Sequence, residues 1–162
     1  MAIVVVEGID RTGKSTFCEK LRNELGYKIF RAPTTILVNN QQKDFVNEAD
    51  KCLKLATLAA ISGQDIVFDR LHFSDAVYSI TRRNFYQPAV EDIFRTVDKE
   101  IARMTVHVVY FIPDADGIDG CEARAGESLK KDKEVFDWCY DVSKCMKSKA
   151  RFSEIDDLIQ MF

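Results

Sequence analysis

Apolar residues fall along this chain in two alternating patterns. AIVVV (2–6) and VHVVYFI (106–112) are continuous apolar runs rich in β-branched residues, and DIVFDR (65–70) and Tyr27–Phe30 are shorter ones. Such runs suit strands of a parallel sheet buried on both faces. Between them the apolar positions recur every three or four residues, the spacing of a helix face. A helix is predicted from Lys14, with Phe17, Leu21 and Leu25 in step and Gly26 as its stop. A long one covers Phe45–Ile61 and ends at Gly63, and another covers Ser74–Phe85. Pro88 fits the first turn of a further helix, whose stripe is Val90, Ile93, Phe94, Val97 and Ile101. The stretch through Lys43 and the segment 114–134 carry no period and read as loop and surface excursion. Val135, Phe136, Cys139, Tyr140 and Met146 are assigned to one more helix. RFSEIDDLIQMF (151–162) is open to a last edge strand, a last helix, or both.

Alternating strand and helix signals predict an α/β fold, a three-layer arrangement with an open parallel sheet covered by helices on both faces. The 162 residues form one domain, with no repeat or linker. Net charge is −3, so no global basic field would recruit a nucleic-acid polymer. Five cysteines without a CxxC spacing do not make a disulfide framework and fit a reducing, cytoplasmic setting. Two histidines far apart in sequence do not suggest a zinc site. No secretory leader or membrane span is expected.

The chemistry concentrates in EGIDRTGKST (7–16), directly after the first strand. Gly8-x-x-x-x-Gly13-Lys14-Ser15 is the P-loop pattern, and it stands between a strand and a helix as its mechanism requires. Its backbone amides, from Gly8 through Ile9, Asp10, Arg11, Thr12 and Gly13 to Ser15 and Thr16, would wrap the phosphates of ATP, helped by the positive end of the following helix. Lys14 should reach the β- and γ-phosphates and Ser15 should bind Mg²⁺. DADG (114–117) contains a D-x-x-G, but no N-K-x-D follows, which disfavours a GTPase switch. A second pair, Asp69-Arg70, ends the third strand, where open α/β sheets bind ligands. Arg70 suits a second phosphate group, and Asp69 can help position Mg²⁺. Ser74 and Tyr78, four apart, share the helix face that begins beside Arg70.

These residues resemble the thymidylate kinase family of P-loop nucleoside monophosphate kinases. EGIDRTGKST resembles that family's P-loop, and RAP (31–33) its Arg-x-Pro turn. GQDIVFDRLHFSDAVYS (63–79) resembles its acceptor segment, and ARAGE (123–127) the start of its lid, which would span about 114–134. The resemblance implies transfer of the ATP γ-phosphoryl group to dTMP or a related deoxynucleoside monophosphate. It implies that Asp10 faces the acceptor's sugar and phosphate, that Arg31 joins Arg70 on that phosphate, and that Arg124 helps bind ATP. It places Phe45 where the family stacks an aromatic ring on the base, although core packing explains Phe45 equally well. Tyr78 falls where a ring crowds the sugar 2′ position. Arg11 matches the family branch that carries its transfer-promoting arginine inside the P-loop, against a plain solvated loop arginine. A homodimer is the family's default, and helix 45–61 is either an interface or interior.

The departures concern the base and the ends of the chain. The family's thymine-reading arginine is Ala49 here, and the residue at the base edge is Asp75, an acceptor for thymine N3–H or an exocyclic amine, or a helix-start acid. Lys130, Lys131 and Lys133 read as a solvated face, and a final strand with its adenine-binding turn is expected to be missing or replaced. A deoxynucleoside kinase on the same scaffold is the nearest rival, but RAP has Ala32 where that chemistry wants an acid. A non-catalytic nucleotide-binding protein is the other alternative.

Overall fold

The computed structural model describes residues 1–31, 42–113 and 126–162. Five strands form one sheet: β1 (Ile3–Glu7), β2 (Lys28–Arg31), β3 (Ile66–Asp69), β4 (Val106–Phe111) and β5 (Met146–Ala150). Their order is β2-β3-β1-β4-β5, and every adjacent pair is parallel. β1 is central, pairing Ile3 with Ile66 on one side and with Val106 on the other. The chain passes from β1 to the β2–β3 half and then back across to β4, so the switch point lies at the carboxyl end of β1, where ligands bind in such sheets.

β1 is apolar from Ile3 to Val6 because both of its faces are covered. Ile3 and Val5 pack into a core shared with α2 (Gln42–Ser62), α3 (His72–Thr81), α4 (Gln87–Ala102) and α5 (Gly126–Val142). Val4 and Val6 pack instead with Phe17 and Leu21 of α1 (Lys14–Leu25) and with Ile155 and Leu158 of α6 (Ile155–Ile159). α2 buries Phe45, Ala49, Cys52, Ala56 and Ala59 and exposes Val46, Leu58 and Ile61, so it is interior along one face only. Among the described residues, no helix is long and apolar enough to cross a membrane.

Several boundaries differ from the sequence-based expectation. Residues 126–134 belong to α5 and not to a surface excursion, and Lys130 and Lys131 are exposed on it. Lys133 pairs with Asp137 at 2.6 Å, one turn along the same helix. Met146 does not continue a helix. It opens β5, a final strand that is present and pairs with β4. The C-terminal stretch is a 3₁₀ turn (Phe152–Glu154) followed by α6, with no strand. α3 begins at His72, two residues earlier than expected, and stops at Thr81.

A buried carboxylate knits the helical layer to the edge strand. Asp98 of α4 accepts the Ser143 hydroxyl and the Lys144 amide, both at 2.6 Å, and lies 3.1 Å from His72 Nε2. Ligand atoms of His72, Asp98 and Cys145 fall within 4.8 Å of one another. The Asp98 oxygens are already engaged by these donors, so the cluster reads as a hydrogen-bonded junction of α3, α4 and the turn that leads into β5.

Candidate functional site

The P-loop runs from the end of β1 to the start of α1, and glycine is required at both ends of it. A Cβ at Gly8, whose φ is 131°, would stand 2.3 Å from the Phe111 carbonyl oxygen of β4. Gly13 takes a left-handed φ of 96° at the N-cap of α1, and a Cβ there would meet the Phe152 ring at 2.6 Å. The first turn of α1 contains no acidic residue, so its amides and dipole face the cleft uncompensated.

The cleft beside this turn encloses about 530 Å³. Its walls include Asp10, Arg11, Gly13, Lys14, Ser15 and Thr16 from the P-loop and the start of α1. Asp69 and Arg70 close it from β3, and Phe152 from the turn after β5. Ile9 and Thr12 are buried beneath, where the Thr12 hydroxyl donates to the Ile9 carbonyl at 2.9 Å. Lys14 curls over the loop and donates to the same carbonyl and, at 3.3 Å, to the Thr12 hydroxyl.

Burial, then the neighbouring Arg70 charge, lowers Lys14 to about 8. A phosphate chain favours the charged amine, so nucleotide binding should take up a proton once the free protein has lost it. ATP affinity is therefore expected to be flat below pH 7.5 and to weaken toward about tenfold per pH unit above 8. Displacement of a fluorescent nucleotide across pH 6.5–9.5 measures this, and a flat profile through pH 9 would exclude it.

Arg70 joins the two sides. Its Nη1 donates to the Gly8 carbonyl and to the Ser74 hydroxyl, both at 3.0 Å. Its Nη2 pairs with Asp10. Four non-glycine residues among those described have left-handed backbones, and two of them, Arg11 (φ 63°) and Arg70 (φ 74°), line this cleft. Such strain persists where surrounding structure enforces it, often at functional sites. Arg11 is exposed and makes no hydrogen bond or ion pair among the described residues.

The other expected acceptor residues lie behind or beside this cleft. Tyr78 is buried, its ring between the guanidinium of Arg82 at 3.9 Å and that of Arg70 at 5.5 Å. Phe45 is buried too and packs on Phe85, with ring centroids 6.1 Å apart. Asp75 pairs with Arg83 at 3.4 Å, and burial raises it to about 7 despite that partner. Arg31 does not line the cleft. It is exposed and lies 3.2 Å from Glu19 and 3.7 Å from Asp69. Arg124, DADG and the Ala32-Pro33 turn lie outside the described residues, as does ARAGE up to residue 125; its Gly126 and Glu127 open α5. Two residues outside the sequence-based expectations matter here: Phe152, which stands on the cleft rim with no local signal, and Glu7, which opens the P-loop stretch.

A 2-3-1-4-5 parallel sheet with this loop at its switch point is the P-loop nucleoside/nucleotide kinase fold. The chain is similar to YorR of Bacillus subtilis, solved in complex with phosphorylated GDP, with a TM-score of 0.75 at 21% identity over 99% of this chain and 92% of that one. It is similar to deoxyadenosine kinase of M. mycoides, solved with dCMP and dCDP, with a TM-score of 0.63 at 16% identity over 98% and 95%. It is also similar to thymidylate kinase of Candida albicans, with a TM-score of 0.55 at 15% identity over 99% and 88%. No protein-family model and no curated protein sequence matches the chain.

Proposed function

We propose that this protein is an ATP-dependent kinase of deoxynucleoside monophosphates, with dTMP or a related monophosphate as acceptor. The observation that carries this reading is Arg70. A strained, fixed arginine stands across the cleft from the P-loop and is bonded to that loop through Gly8 and Asp10. One wall therefore offers amides and Lys14 to the donor phosphates, and the other offers a planar guanidinium to the acceptor phosphate. Phosphoryl transfer asks mainly for alignment and positive charge around the moving group, and Arg11, on the P-loop wall with an exposed guanidinium that no carboxylate holds among the described residues, can supply it.

The Ser15 hydroxyl and the Asp69 carboxylate are hard oxygen donors on the cleft wall and fit Mg²⁺, which would neutralise charge on the donor phosphates. Asp10 holds Arg70 in place from the solvent side. Asp75, near neutrality at about 7, can offer the base either an accepting carboxylate or a donating carboxyl. Phe45 and Tyr78 belong to the core shared by α2 and α3, and Tyr78 backs Arg70, with the guanidinium 5.5 Å from its ring.

A deoxynucleoside kinase is the second reading, favoured by one feature: Asp10 and Asp69 put carboxylates in the cleft that could take a 5′-hydroxyl proton. ADP release from ATP and Mg²⁺, measured with a panel of nucleosides and monophosphates, separates the readings. Guanine nucleotides belong in the panel because of the ligand in YorR. Stimulation by monophosphates is the expected result, and stimulation by nucleosides alone would replace the first reading with the second. Silence with every acceptor, alongside intact ATP binding, would leave a nucleotide-binding protein without transfer activity.

A further inference from the structure

We propose that Glu7 is a positioning residue that fixes the acceptor arginine by capping helix α3 from the end of β1. This inference rests on the kinase reading for its role but on separate contacts for its geometry. Glu7 is the last residue of β1 and the residue before the first P-loop glycine, and it is fully buried. One of its carboxylate oxygens accepts the Leu71 amide at 2.8 Å and the Phe73 amide at 3.1 Å. The other accepts the Ser74 amide at 3.2 Å and also the Ser74 hydroxyl. α3 has no side-chain cap of its own at Leu71. Three amides at its start, those of Leu71, Phe73 and Ser74, are thus satisfied by a residue 64–67 positions away in sequence.

Three consequences follow from that geometry. The positive end of α3 is neutralised by Glu7 and is not an anion site, so binding of the acceptor phosphate falls to Arg70. The Ser74 hydroxyl donates to Glu7 and can therefore only accept from Arg70 Nη1, which orients the guanidinium. Arg70 Nη1 also returns to the Gly8 carbonyl, one residue past Glu7, closing a ring through residues 7, 8, 70 and 74. The donor loop and the acceptor helix are then not independent parts. A carboxylate at the strand end sets the spacing between the two phosphates.

A double-mutant cycle of Glu7→Gln with Ser74→Ala tests this. Affinity for dTMP is read by calorimetry, or for whichever monophosphate the wild type binds best. ATP affinity is read separately, and kcat and KM are taken where turnover is present. Each single variant is expected to weaken monophosphate binding roughly tenfold and leave ATP binding unchanged. The double variant should be no worse than the weaker single one, since both break the same relay. Losses that add, ATP affinity falling in parallel, or unchanged monophosphate affinity would each overturn the proposal. Should Glu7→Gln fail to fold, the cycle is run between Ser74→Ala and Arg70→Lys, whose losses must likewise fail to add. A wild type that binds monophosphate without transferring phosphate removes the kinase reading and leaves this one standing. A wild type that binds no monophosphate removes both.

Discussion

Arg70→Gly is expected to lower kcat/KM for the monophosphate by about 10²–10⁴-fold while leaving the fold close to wild-type stability. The kinetic loss comes from two charge-assisted hydrogen bonds to the acceptor phosphate, each worth about 1.5–3 kcal/mol. Stability is buffered by the backbone. Arg70 sits at φ 74°, where a side chain costs about 1–2 kcal/mol that glycine does not incur. That relief offsets part of the bonds lost to Gly8, Ser74 and Asp10, the last of which is open to water. A purely structural arginine would show the reverse, with a lower melting temperature and an unchanged rate per folded molecule. Thermal melts and initial rates on one preparation distinguish the two outcomes.

How far the fold could be read in advance depended on where each element finds its partners. β1 and β4 are covered on both faces, so their apolar runs announce them. β5 is MKSKA at the sheet edge, with only Ala150 buried. It is held by its ladder to residues 107–111 and needs no apolar run, so its strand character is invisible in composition. The first half of α5 was hidden for a related reason. Lys130 and Lys131 face solvent and Asp132 is spent on Thr81 and Arg82 of the α3 end, which leaves little apolar period to detect. The early start of α3 depends on Glu7, a long-range cap that no local rule can see.

The site divides along the same line. Gly13, Lys14, Ser15 and Arg70 stand out in the sequence because phosphate chemistry demands those residue types at the ends of strands, and they line one cleft, while Gly8 is bonded to Arg70 through its carbonyl. Roles carried over by resemblance depend on packing that no local pattern displays: Arg31 lies within reach of Glu19 and of Asp69, and Phe45 and Tyr78 are buried in the helical layer. Phe152 reached the cleft only because β5 and its following turn run beneath Gly13, which depends on a strand the composition did not disclose.

Arg11→Gly is expected to cut kcat by about 10³-fold or more, with the KM for ATP little changed. In this reading Arg11 contributes little to the bound ground state, which Lys14 and the loop amides hold. It acts on the charge that spreads over the phosphoryl oxygens as the group moves, so its loss appears in kcat. Its exposed guanidinium is not committed to any carboxylate among the described residues, unlike Arg70, and is therefore available for that task. Glycine is the informative substitution because Arg11 has φ 63°. Alanine would keep the left-handed strain and confuse a rate loss with a distorted loop, whereas glycine removes charge and strain together. Melting temperature should hold or rise as kcat collapses, and Arg11→Lys should recover only part of the rate, since a point charge cannot reproduce the guanidinium fork. An unchanged kcat in Arg11→Gly would move the transfer-promoting charge to another arginine, with Arg124→Ala as the next variant to measure.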